Sequence, residues 1–311
     1  MSAAVELHAG GPRHFLELRD FSPAQLRALV DAAAGHRRTR RSGKKPLAGK
    51  TIALIFEKPS TRTRVSFEVA MRELGGDVIT LLANDLQLGR GETIADTARV
   101  LSRYVDAIML RTGSAEKLYE LAAHASVPVI NGLTERSHPC QVLADVLTFE
   151  THRGPIAGQT IAWLGDGNNV AATWVEAATL FGARFRLGCP DGYHPDAAVL
   201  AWARSRGGDV TITADPLEAV AGARAVMTDT WISMNDSEDE AEAREAVFAP
   251  YQVTERLMAA AAPDAIFMHC LPAYRGEEVA AEVIDGPASV VFDEAENRVH
   301  AQKAILAWSL A

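Results

Sequence analysis

Five consecutive residues, Ser60, Thr61, Arg62, Thr63 and Arg64, crowd hydroxyl and guanidinium groups into FEKPSTRTRVSFE (56–68). The stretch follows the apolar run TIALIF (51–56) and leads into Val65, Val69 and Leu74, apolar residues at helical spacing. A helix that opens just after a strand offers unpaired N–H groups and a partial positive charge, which together make an anion site. The hydroxyls add donors, and Arg matches phosphate bidentately where Lys cannot. An N-cap with surface arginines is the plainer reading. Two hydroxyl–arginine pairs in tandem exceed what a cap requires, so phosphate is the expected ligand.

Other polar groups close other apolar runs. Arg111 ends AIMLR (107–111), at the carboxyl edge where open α/β sheets place their ligands. His138 and Gln141 in SHPCQVLAD (137–145) are three residues apart, share one face of a helix start, and suit an amide or carbonyl group. TDTWISMND (228–236) puts Asp229 and Ser233 at a further strand end. In MHCLPAYRGEEV (268–279), Cys270 lies between His269 and Leu271-Pro272; a cysteine is usually a buried small hydrophobe, but in a loop outside a sheet it reads as a site thiol. Arg298, in DEAENRVHAQKA (293–304), has a surface ion pair as its plain account. No His, Cys and carboxylate set has zinc-like spacing, so neither metal nor cofactor is expected.

Two nucleotide signatures nearly match. GKKPLAGKT (43–51) has one residue too many for a P-loop and precedes its strand instead of following it. GDGNNV (165–170) follows a strand and opens a helix, but Val170 stands where a dinucleotide fingerprint has its third glycine. Asp191 lies about where a ribose-binding acid would be, which leaves a dehydrogenase as a weaker alternative. An Asn-rich strand-to-helix loop suits another polar ligand better.

These loops need strands and helices to hold them. Nine apolar runs recur at 51–56, 78–82, 107–110, 127–130, 160–164, 184–188, 210–213, 225–227 and 265–268, with helically spaced apolar residues between them. Runs apolar throughout and alternating with helices predict parallel sheets covered on both faces, here two doubly wound α/β sheets. A boundary is expected near HRGPIAGQT (152–160), giving domains 1–151 and 152–292, with a C-terminal helix over 293–311 returning to the first. The basic run HRRTRRSGKK (36–45) reads as a solvated loop and the acidic run DSEDEAEARE (236–245) as a long mobile surface loop.

The 311 residues suggest about two domains, and 48% apolar with 23% charged residues is an ordinary globular mix. Thirty-one basic against 40 acidic residues leave a formal charge of −9, which argues against a general nucleic-acid binder but not against one basic pocket. No apolar run approaches the roughly 18 residues of a membrane span. Three cysteines and an N-terminus that reads as neither secretory signal nor transit peptide lead us to expect a reducing cytoplasm.

The STRTR, HPCQ, DxWxSM and HCLP segments, in that order, resemble the aspartate/ornithine carbamoyltransferase family, and the likeness runs from about His14 to the C-terminus. The resemblance implies two α/β domains, one for carbamoyl phosphate and one for the amino acid, assembled as a homotrimer with active sites at subunit boundaries. It implies that Ser60, Thr61, Arg62 and Thr63 hold the phosphate, that Arg111, His138 and Gln141 hold the carbamoyl group with Arg298 nearby, and that Gln87 is lent to a neighbouring subunit. Asn169, Asp229, Ser233 and Met234 match positions that bind ornithine, and Cys270 and Leu271 match the pair that touches both substrates. The implied reaction moves the carbamoyl group of carbamoyl phosphate to the δ-amine of L-ornithine, giving L-citrulline and phosphate, in arginine biosynthesis. Asp229 and the acidic run favour a cationic acceptor over aspartate; N-acetylornithine, N-succinylornithine and putrescine are the alternative amines. A Cys270 thiolate beside Asp229 is the expected proton acceptor or orienting group. Asn235 stands where the family loop has glycine, a replacement that tolerates positive φ.

Overall fold

The computed structural model describes residues 11–40, 44–83, 91–232 and 238–311, with two compact units among them. The first comprises the described residues up to Leu143 together with Asn297–Ala311, and the second is Ala144–Glu296.

In the first unit, strands β1 (Thr51–Phe56), β2 (Asp77–Leu82), β3 (Ala107–Arg111) and β4 (Val129–Leu133) form a parallel sheet in the order β2-β1-β3-β4. Helices α1 (Pro23–Arg38), α2 (Thr61–Glu73), α3 (Ile94–Leu101) and α4 (Ala115–His124) connect or flank these strands, and α5 (Pro139–Arg153) follows. In the second unit, β5 (Thr160–Leu164), β6 (Arg184–Gly188), β7 (Asp209–Thr213), β8 (Ala225–Thr228) and β9 (Ile266–His269) form a parallel sheet in the order β7-β6-β5-β8-β9. Its helices are α6 (Asn169–Phe181), α7 (Ala197–Ser205), α8 (Pro216–Val220), α9 (Glu238–Phe248), α10 (Glu255–Ala260) and α11 (Ala281–Ile284). The last helix, α12 (Val291–Ser309), belongs to the first unit from Asn297 onward, which is the return to the first domain that the sequence predicts.

Each of the nine apolar runs is a strand. The central strands β1, β3, β5 and β8 are buried nearly end to end, because helices cover both faces. Of the edge strands, β2 and β7 carry only exposed and half-buried residues, whereas β4 and β9 are buried along most or all of their length. Side-chain caps start many helices: Ser22 closes a capping box on α1, and Thr93, Ser114, Asp196, Asp215 and Thr254 each accept a first-turn N–H.

Both charge runs differ from expectation. The basic run begins inside α1, with His36, Arg37 and Arg38 in its last turn, where cations complement the helix dipole. The acidic run is largely the helix α9, not a surface loop. Its Ala and Glu residues are strong helix formers. Arg244 also anchors it, donating to the Trp231 carbonyl at 2.6 Å, pairing with Asp166 and lying over the Tyr193 and Phe248 rings.

Candidate active site

In each sheet the strand order reverses at one point, where neighbouring crossovers diverge and a crevice opens beyond the carboxyl ends. In the first unit that point lies between β1 and β3, and in the second between β5 and β8. The chemically capable residues gather there.

Ser60 is the N-cap of α2, its hydroxyl accepting the Thr63 N–H at 3.3 Å. Thr61 is exposed and Arg62 half-exposed, with no ion-pair partner for Arg62 among the described residues. Thr63 is wholly buried, and its Oγ1 accepts from Arg111 at 3.3 Å and from Arg298 at 2.7 Å. Arg298, only 3% exposed, also donates to the side-chain amide oxygen of Gln141, Oε1. The surface ion pair that is the plain account of Arg298 is therefore replaced by a buried bridge joining α2, α5 and α12. Arg64 turns away along the helix to Glu68 at 3.1 Å and is not part of this set.

His138 lies at the start of α5, its carbonyl accepting the N–H groups of Gln141 and Val142, and its ring is 4% exposed. Burial, followed by the positive charge of Arg298 and Arg111, holds its pKa well below the ordinary 6.5. It is a neutral imidazole at physiological pH, so it can donate a hydrogen bond without adding a third cation.

In the second unit Asp229 follows β8 and collects three donors. The Asn168 side-chain amide reaches it at 2.8 Å, the Thr230 N–H at 2.8 Å and the Cys270 thiol at 3.1 Å. Asn168 also caps α6, accepting from Val170 and Ala171 at 2.9 and 3.1 Å. This occupies two of the N–H groups at the start of α6. Gly167 lets the loop close, since a Cβ there would lie 2.4 Å from the Pro195 nitrogen and 2.5 Å from the Tyr193 carbonyl. Asn169, the Asn matched from sequence, is the first residue of α6, whereas the Asp229 contact is made by Asn168, which the sequence reading passed over. Its position as cap immediately before a helix was the available signal.

Burial raises the Cys270 pKa well above 9.0, and the nearby carboxylates of Asp229, Glu294 and Asp145 raise it further. Both effects favour the thiol, which donates to Asp229 and suits the orienting role of the two expected for it. Leu271 beside it has φ 59° and gives its N–H to His269 Nδ1 at 2.9 Å. Donor atoms of Asp229, His269 and Cys270 lie within 4.8 Å of one another, a set drawn from two loops that no sequence spacing announces. Gln87, Ser233, Met234 and Asn235 lie outside the described residues.

Comparison with known proteins accounts for both halves. The carbamoyl-P binding domain of aspartate/ornithine carbamoyltransferase matches residues 13–151, and the Asp/Orn binding domain matches residues 157–309. The chain belongs to the aspartate/ornithine carbamoyltransferase family. Among its curated relatives, the ornithine carbamoyltransferase of Nitrobacter winogradskyi is 59% identical over 302 residues, covering 96% of this chain and 97% of the relative. That of Agrobacterium fabrum is 57% identical, covering 96% and 98%. The solved structure of ornithine carbamoyltransferase from Pyrococcus furiosus superposes with a TM-score of 0.92 at 50% identity, covering 96% of each chain. The family's two-domain division puts the anion-suited residues in its carbamoyl phosphate domain and Asp229 and Cys270 in its amino-acid domain. No helix among the described residues is long and apolar enough to cross a membrane.

Proposed function

We propose that this chain transfers the carbamoyl group of carbamoyl phosphate to the δ-amine of L-ornithine, releasing L-citrulline and phosphate. The observation that carries the choice of acceptor is the Asp229 carboxylate at the β5–β8 reversal, held by Asn168, Thr230 and Cys270. A carboxylate there suits a cationic amine, whereas aspartate would bring two further negative charges. The names of the relatives point the same way.

Phosphate is held by Ser60, Thr61, Arg62, Thr63 and the N-terminus of α2, and the carbamoyl group by Arg111, His138 and Gln141, with Arg298 bracing Thr63 and Gln141. As the amine attacks, negative charge grows on the carbamoyl oxygen, and Arg111, Thr63 and neutral His138 are the donors for it. The departing phosphate is stabilised by Arg62 and the helix terminus. The δ-ammonium, with a free pKa of about 10.4 like lysine, must first lose a proton. Asp229 attracts it and accepts or relays that proton, with the Cys270 thiol orienting the carboxylate. A second nitrogen-bound proton is lost as the tetrahedral adduct collapses and leaves with phosphate. Asn169, Ser233 and Met234 bind the α-amino and carboxylate end, and Leu271 touches both substrates.

We assign the domains to residues 1–151 and 152–292, with 293–311 returning to the first, and the assembly to a cytoplasmic homotrimer in which Gln87 serves a neighbouring subunit. Exposed Ile79 and Leu82 on edge strand β2, with exposed Val65 on α2, support a subunit contact at that edge.

The test is phosphate release from carbamoyl phosphate with ornithine, N-acetylornithine, putrescine and aspartate offered separately. Citrulline formed from ornithine alone is expected. Preference for another amine keeps the carbamoyl half and overturns the acceptor; no turnover with any amine overturns the reading.

A further inference from the structure

His269 and Glu278 form a pair whose side chains are both 0% exposed, and the chemistry above uses neither. His269 ends β9, and its Nε2 stands 3.2 Å from Oε1 of Glu278. The same Oε1 accepts the Tyr274 N–H at 2.6 Å. The other ring nitrogen, Nδ1, accepts the Leu271 N–H at 2.9 Å, and the backbone N–H of His269 goes to the buried Glu294 at 2.8 Å. Leu271 sits at φ 59°. That left-handed conformation is unfavourable for a branched residue and persists only where its surroundings over-determine it.

The Nδ1 hydrogen bond specifies one tautomer, because a nitrogen that accepts must be bare and the proton then sits on Nε2. The Glu278 carboxylate, 3.2 Å from Nε2 but not aligned as a hydrogen bond, favours the same tautomer electrostatically, since a bare Nε2 would face it lone pair against negative charge. Removing the carboxylate weakens that preference, and the other tautomer sets Nδ1–H against Leu271 N–H, donor against donor. We infer that Glu278 is a positioning residue for the transfer reaction: through the Nε2–H tautomer of His269 it holds Leu271 in its left-handed conformation and keeps Cys270 aimed at Asp229. This rests on the reading that Cys270 and Leu271 touch the substrates.

Two variants separate positioning from mere stabilisation. E278L removes the acceptor at similar volume, and E278Q keeps an acceptor oxygen. E278L is expected to lower kcat/KM for ornithine at least tenfold, with KM for carbamoyl phosphate within twofold. It should also change the rate of Cys270 alkylation by iodoacetamide, followed by mass spectrometry, at least threefold. E278Q should restore both to within threefold of the parent. An E278L enzyme matching the parent in both readouts overturns the inference, and so does an E278Q enzyme as impaired as E278L. Should E278L fail to fold, 15N-histidine NMR of the unaltered protein decides, with the His269 signals assigned by their loss in H269N. An Nε2–H tautomer supports the inference; an Nδ1–H tautomer or an imidazolium at pH 7 overturns it. If C270A turns over ornithine normally, the role given to Cys270 fails, while the alkylation and tautomer results still judge Glu278.

Discussion

Arg298 and Thr63 lie 235 residues apart in the chain and share a 2.7 Å hydrogen bond inside the first unit. Through it the last helix reaches the first turn of the helix that carries the anion-suited hydroxyls. The same guanidinium donates to Gln141, so one buried side chain sets α2 and α5 against each other. A planar fork with several donors can serve both partners at once; an ammonium on a flexible stem cannot.

R298Q is therefore expected to raise KM for carbamoyl phosphate at least about tenfold, leaving Thr63 and Gln141 without their shared donor. Charged hydrogen bonds of this kind contribute about 1.5–3 kcal/mol, so urea denaturation should show a loss of roughly that size. R298K should rescue neither quantity. Steady-state kinetics and denaturation midpoints check this, and full rescue by Lys would mean that charge alone matters.

His138 makes stability depend on pH. Its pKa is depressed in the folded chain and near 6.5 when unfolded, so below pH 6.5 the unfolded state binds the extra proton. Its contribution is present above that pH and lost as the pH falls, with a limiting slope of about 1.4 kcal/mol per unit. On moving from pH 7 to 5.5, the parent should lose about 1 kcal/mol more than H138N. His14 and His36, whose pKa values burial also lowers, are common to both proteins and cancel. Equal losses in the two proteins would count against a neutral, buried His138.

Much of this was legible in the amino-acid sequence because apolar runs and cap residues are local signals. TIALIF announces β1, and STRTR announces both the cap of α2 and its anion chemistry. What escaped were features created by tertiary contact. Nothing near Arg298 in the chain says that it is buried; that follows from Thr63 and Gln141, both distant in sequence. In α9 the charges mask the helix formers, and its anchors, Asp166 and the Tyr193 ring, come from other segments. The raised pKa of Cys270 comes from burial first and then from three carboxylates, and neither its burial nor Glu294 and Asp145 as neighbours can be read from the local sequence.

Asn168 links a helix cap to the acceptor half of the site. N168A removes the cap, at a cost of about 1 kcal/mol, together with the 2.8 Å bond to Asp229. KM for ornithine should rise severalfold while KM for carbamoyl phosphate stays within twofold. N168D keeps a capping oxygen but sets a carboxylate against Asp229, so its stability should recover more than its ornithine affinity. Measuring both quantities on both variants separates the two roles, and parallel recovery in N168D would show that the cap alone matters.

Cys270 offers the sharpest test of mechanism. A thiol raised well above 9.0 is a poor nucleophile at neutral pH, so iodoacetamide should modify it slowly at pH 7 and faster as the pH climbs past 9. C270A removes the donor that orients Asp229, and turnover should fall at least about tenfold with KM for carbamoyl phosphate unchanged. C270S keeps a hydroxyl donor and should retain more activity than C270A. This ordering separates orientation from base catalysis: if the thiolate were the proton acceptor, serine, which does not ionise in this range, would be as poor as alanine. Rapid alkylation at pH 7 together with equal loss in both variants would restore the thiolate and overturn the orienting role given to the Cys270 thiol.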